Sequence, residues 1–277
     1  MPRLLLACLV VPFLASASPA DQPELQAAIQ AHRDGRYDEA LRIVKTRFDR
    51  ISTGAKDTRQ DYFITMFEWE QLAGSHAAAR MAMLSERDEQ VRRLLEGDAV
   101  FCVDDFRPIS RLQVILEMNR FLQDSRASYR LMTQLLTDNP VLARRELHRA
   151  LPAIVEAGDY ALVVQYIPNP LNRLGELNRL GRELPLFPSP GAVPRLGMEL
   201  AVLMGDVVLL SKALTGQGKA AEAEQLRTAA LSGLQSDELR ALASRELAES
   251  GSIIRAIAEY QTSQAMGSAS AVGKGSW

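Results

Sequence analysis

Apolar residues recur along the chain at the spacing of helix faces. Tyr37, Leu41, Val44, Phe48 and Ile51 fall on one side of a helix, and Leu196, Leu200, Leu203, Val207, Leu210 and Leu214 do the same further on. Few segments carry β-branched runs with period-two alternation, so the pattern predicts an all-α chain. At about 25 cal/mol per Å² of apolar surface, each stripe contributes several kcal/mol when covered and is a liability when exposed. Each therefore needs a partner surface.

The connections between stripes repeat. GRYDEA from Gly35 returns loosely as GSHAAA from Gly74, GDYALV from Gly158, GKAAEA from Gly218 and GSIIRA from Gly251. Each glycine follows one helical pattern and precedes another, where a helix must end in a conformation that glycine adopts cheaply. Five residues later stand Ala40, Ala79, Val163, Ala223 and Ala256, small enough for two antiparallel helices to approach closely. DSRASY from Asp124 reads as a sixth copy without the glycine or the small residue. One hairpin cannot bury its own stripes, so neighbouring hairpins are expected to stack.

On Gly35, Tyr37 and Ala40, on the parallel set Gly158, Tyr160 and Val163, and on Pro140, residues 22 to 262 resemble the tetratricopeptide-repeat family. Spacings of 34 residues from Asp124 to Gly158 and 33 from Gly218 to Gly251 belong to the same resemblance, whereas the family's tryptophan is missing from the first helices. The resemblance implies stacked antiparallel helical hairpins wound into a TPR-like right-handed superhelix or compact solenoid. It also implies a groove that takes a protein or peptide.

Breaks in the pattern set the organisation. In residues 1–20, Arg3 precedes the run LLLACLVVPFLA and small residues follow at Ala15, Ser16 and Ala17, the order of a secretory signal peptide, cleavable after Ala17 or Ala20. Hairpin repeats are expected over 21–184, with an irregular insertion at 97–108. Residues 185–194, PLFPSPGAVP, hold four prolines and read as a linker. A second set of hairpins is expected over 195–264 and a disordered tail over 265–277. Pro152 falls inside a helical pattern, where the helix kinks or a new one starts.

Composition narrows the chemistry. With 47% hydrophobic and 24% charged residues the chain is an ordinary globular protein, and its net charge of -2 gives no general attraction for nucleic acid or an acidic membrane. Removal of the leader would take Cys8, leaving Cys102, a small buried hydrophobe between Phe101 and Val103. No transmembrane segment is expected after that cleavage.

Catalytic motifs do not assemble from the sequence. His32, Arg33 and Asp34 spell the start of a kinase catalytic loop, but no phosphate loop, strand lysine or metal-binding Asp follows. GQGK at 216–219 has Ala213 and Ala220 where a Walker loop needs Gly and Ser or Thr. His32, His76 and His148 lack metal-ligand spacing; His32 reads as a histidine at a core edge, and His76 as packing in the turn position of Tyr37 and Tyr160. No serine has an evident base. The expectation is no catalytic residue, no cofactor and no metal.

One asymmetry stands out. Residues 107–149 carry eight arginines against four acids, after a stretch from Glu86 to Asp105 with seven acids and three arginines. The two segments either neutralise each other, or Arg111, Arg126, Arg130, Arg144 and Arg145 line a face for an acidic peptide or carboxylate-bearing polymer, which guanidinium forks bind bidentately. The sequence thus leads to the expectation of an exported, periplasmic scaffold or adapter of a bacterial cell envelope that binds a protein or peptide. The alternative is a helical accessory domain or enzyme acting on cell-wall glycan or sugar.

Overall fold

The computed structural model of the chain describes residues 22–53, 59–103 and 108–272. The segment read as a signal peptide, Asp104, Asp105, Arg107 and residues 273–277 lie outside them. The described chain is all-helical apart from one small hairpin. No described helix is long and apolar enough to cross a membrane.

The helices form two compact units that divide between Ala157 and Gly158. The first contains α1 (Gln22–Arg33), α2 (Tyr37–Ser52), α3 (Arg59–Ser75), α4 (Ala77–Leu95), α5 (Arg111–Leu122), α6 (Ser125–Asp138) and α7 (Pro140–Ala157). Successive helices pack on each other from α1 to α7, and α1 also touches α3 as α2 touches α4. Their apolar faces meet in a core around Phe48, Tyr62, Met66, Trp69 and Met118, all 0–2% exposed. Trp69 crosses Phe48 edge-on at 5.3 Å and satisfies its indole N–H on the Ala79 carbonyl at 3.1 Å.

The expected irregular insertion is a two-stranded antiparallel ribbon, β1 (Val100–Cys102) and β2 (Ile109–Ser110), pairing Val100 with Ser110 and Cys102 with Ile109. Phe101 and Cys102 are buried, and Phe101 packs against Phe48 and Tyr62, so the ribbon belongs to the core.

The second unit contains α8 (Tyr160–Tyr166), a short 3₁₀ turn (Pro170–Arg173), α9 (Leu174–Glu183), α10 (Arg195–Gly216), α11 (Ala220–Ser232), α12 (Asp237–Ala248) and α13 (Ser252–Val272). Here α10 is a hub, touching α8, α9, α11, α12 and α13. Its residues Leu200, Leu203, Met204 and Val207 are fully buried. At Gly216 the missing Cβ makes room for the Tyr160 ring, which a methyl group would meet at 2.2 Å.

The proline-rich stretch 185–194 is irregular but is no linker between separate bodies: it lies inside the second unit. Leu186 is buried with Leu196 and Leu200, and Phe187 faces Tyr260 at 5.1 Å. Prolines stop the helix there, while the apolar residues among them anchor the loop. α13 continues to Val272, into the segment 265–277 expected as a tail.

The corners follow the glycine pattern with two shifts. Gly35, Gly158, Gly218 and Gly251 have φ of 75°, 82°, 78° and 83°. At the first corner the Gly35 N–H bonds to the His32 carbonyl and the Arg36 N–H to Ala31, which closes α1 by the paired bonds of a left-handed helix end. Gly74 instead lies within α3 and its corner falls at Ser75 and His76. The sixth corner starts one residue earlier than expected: Gln123, with φ 60°, takes the glycine's place and Asp124 caps α6 through the Ala127 N–H. Five residues after Gln123 stands Ser128, 4% exposed, in the place of the small residue of the other corners.

Candidate binding cleft

The arginines of the basic segment take three different positions. Arg111 opens α5 and its side chain is fully buried. It donates to the Asp98 carbonyl at 2.8 Å, the Val100 carbonyl at 2.7 Å, the Asp98 carboxylate at 2.7 Å and the side chain of Gln90. Four of the five guanidinium donors are spent in closing the turn between α4 and β1, and the side chain is buried, so Arg111 does not line a groove. Arg126 and Arg130 are exposed on α6, one helical turn apart; Arg144 and Arg145 are exposed on α7, where Arg145 meets the buried Glu146 at 3.2 Å. Charge neutralisation between the acidic and basic segments also occurs, at Asp98 with Arg111 and at Arg87 with Asp124.

A cleft of about 280 Å³ opens beside these residues, between the end of α5, the start of α6 and the second half of α7. Leu116, Pro152 and Ala153 give it an apolar floor, and Asn119, Arg120, Ser128 and Arg149 are among its polar groups. Gln123 and Ser125 stand at the α5–α6 corner, and Glu156 supplies its carboxylate. The left-handed turn at Gln123 brings the end of α5 and the first turn of α6 into one wall.

Asn119 is the residue that sequence reading missed. It is 1% exposed, and its Oδ1 accepts from Arg87 Nη1 at 2.7 Å. Arginine can only donate, so this contact fixes which end of the amide faces it and turns Nδ2 the other way. That Nδ2 is buried and has no hydrogen-bond partner among the described residues. A buried donor left unsatisfied costs about 1–3 kcal/mol. Arg120 is exposed and lies over the Phe121 ring at 4.8 Å, while Arg149 gives its Nε to Glu146 at 3.0 Å and keeps the outer end of its fork. Two guanidinium groups, an amide N–H and hydroxyls against one carboxylate suit an acceptor-rich, anionic group. No signal at Asn119 distinguishes it in sequence, because its orphan donor depends on an arginine 32 positions away.

The histidines are bonded across helices. His76 stacks on Tyr37 at 5.3 Å and meets Asp38 at 3.1 Å, joining the start of α4 to that of α2. His32 sits between α1 and α3, with Glu68 on one ring nitrogen and Ser75 on the other. Comparison with family models, with curated proteins and with solved structures finds no match.

Proposed function

We propose that the chain is a helical-hairpin adapter that holds an acidic peptide segment in the α5–α6–α7 cleft. The reading is carried by Asn119, which lines the cleft and whose buried Nδ2 has no partner among the described residues, so that a ligand carbonyl or carboxylate reaching it on a local opening would satisfy it. Arg120 and Arg149 supply the charge beside an apolar floor. TPR-like stacking belongs to the same proposal. It is supported by the left-handed corners at Gln123 and Gly158, 35 residues apart, and at Gly218 and Gly251, 33 apart. Export to a bacterial envelope, as the leader composition implies, completes it.

The test is fluorescence anisotropy with a labelled peptide rich in Asp and Glu and its amidated Asn/Gln counterpart. The acidic peptide is expected to bind with an affinity that falls steeply with salt, and the neutral one to bind weakly. Arg120→Glu with Arg149→Glu should abolish capture with the helical circular dichroism unchanged. Arg126→Glu with Arg130→Glu should only slow association, since these lie outside the cleft lining. Equal binding by the cleft double variant and the parent would remove the proposal.

A further inference from the structure

His32 is in the last turn of α1, and Glu68 and Ser75 lie seven residues apart on α3, two turns along one face. The histidine bridges them. Its Nδ1 is 2.7 Å from Glu68 Oε1 and its Nε2 is 3.1 Å from Ser75 Oγ. An ionised carboxylate can only accept, so Glu68 fixes the proton on Nδ1 and leaves the Nε2 lone pair directed at the serine hydroxyl. Glu68 is 7% exposed; burial raises its carboxyl above the ordinary value and the His32 hydrogen bond opposes that rise. Ser75 itself is exposed. Its single hydroxyl proton is also within reach of the Gln71 and Leu72 carbonyls, at 3.0 and 3.4 Å, so it must turn from Gln71 to His32 before His32 can take it.

The surroundings suit attack on a carbonyl. α4 begins two residues after Ser75, and its N-cap His76 makes no side-chain capping bond. Ala79 N–H and Arg80 N–H bond to the His76 carbonyl, which leaves the Ala77 and Ala78 amides as the uncapped positive end of the helix. Ala77 and Ala78 are exposed, and a Cβ on the neighbouring Gly74 would meet nothing within 4 Å. Ser75 is exposed, so a small ester can reach it.

We propose that Ser75 is a nucleophile for short-chain carboxylic esters, with His32 as its general base and Glu68 as a positioning residue. Ser75 Oγ attacks the ester carbonyl carbon as its proton passes to His32 Nε2, and the developing oxyanion is left to the positive N-terminal end of α4, which begins two residues after Ser75. Collapse breaks the ester C–O bond, and His32 returns the proton to the departing alcohol. Water then adds to the acyl-serine with His32 again taking the proton, releasing the carboxylic acid and restoring the hydroxyl. The base stands 43 positions from the serine, which is why no serine in the sequence had an evident one.

The experiment uses the full chain with p-nitrophenyl acetate and with a fluorophosphonate probe followed by peptide mapping. The expected result is a phosphonyl adduct on Ser75 and acetate release that falls at least about 100-fold in Ser75→Ala. Ser75 is exposed, so that variant keeps its fold, and helical circular dichroism checks it. Glu68→Gln should lower kcat more than it raises KM and shift the pH profile of kcat, which loss of a purely structural contact would not do. An unlabelled Ser75 in the parent protein, or equal turnover by parent and Ser75→Ala, would overturn the assignment. Arg126→Glu with Arg130→Glu, outside the lining of the cleft and away from Ser75, should leave ester turnover intact.

Discussion

Arg111 shows how a single charged side chain can be spent on backbone. The turn from α4 into β1 leaves the Asp98 and Val100 carbonyls facing inward, and the fully buried guanidinium satisfies both. Arg111→Met keeps the volume and removes the donors, stranding those carbonyls and Gln90. We expect a loss of about 3 kcal/mol, measured by urea unfolding, with little further change in peptide binding beyond that from lost stability. Asp98 gives this cluster a pH response. Burial alone would raise its carboxyl, but the hydrogen bonds from Arg111 and Arg93 together outweigh burial and hold it below the ordinary value. Burial pulls the Arg111 guanidinium down in turn, yet it stays protonated throughout the working range, so the Asp98 direction governs. A carboxyl depressed on folding stabilises above its unfolded pKa of about 3.9 and loses that contribution as pH falls through the folded value. Asp98→Asn should therefore be less stable than the parent at pH 7, with the difference shrinking toward pH 3. A difference independent of pH would show that the charge is not what holds the turn.

At the scale of elements, the corners decide the packing. Glycine adopts φ 75° without the steric strain an alanine would meet, and Gly35→Ala is expected to lose about 1 kcal/mol through the left-handed backbone alone, since a Cβ there meets nothing within 4 Å. Gln123 is the complementary case. Among the described residues it is the non-glycine with positive φ, so Gln123→Gly should stabilise by a similar amount, read as a raised Tm. If Gln123→Gly lowered Tm, its side chain in the cleft wall would be stabilising the fold more than its backbone strains it. The same corners mark what the sequence could convey. Glycine before an amphipathic run is a local signal, and it located the ends at Gly35, Gly158, Gly218 and Gly251. Gln123 carries no such signal, because its conformation is imposed by the neighbours it joins. The Gln123 shift also hid the buried small residue Ser128. Contacts that meet only after folding, such as Asn119 with Arg87 or His32 with Glu68 and Ser75, leave no local trace at all.

The proline-rich stretch shows why local composition misplaces a boundary in the whole molecule. Four prolines between 185 and 194 end a helix, but a unit ends only where its core ends. Leu177 and Leu180 of α9 lie on one side of the stretch, Leu196 and Leu200 of α10 on the other, and all four share one buried cluster. The core changes between Ala157 and Gly158, where composition gives no warning. This makes two different truncations informative. A fragment of residues 158–272 keeps α8 and α9 on α10 and should unfold cooperatively with a helical spectrum, as should a fragment of residues 22–157 built on its own core. A fragment beginning at Arg195 would lose the covers that α8 and α9 provide and expose much of α10, the helix on which the unit is assembled. At roughly 25 cal/mol per Å², losing two helix faces removes several kcal/mol, comparable with the entire stability of a domain this size. The 195–272 fragment should therefore be helical but without a sharp thermal transition, and should bind a dye for exposed apolar surface. Equal cooperativity of the 158–272 and 195–272 fragments would return the boundary to the prolines.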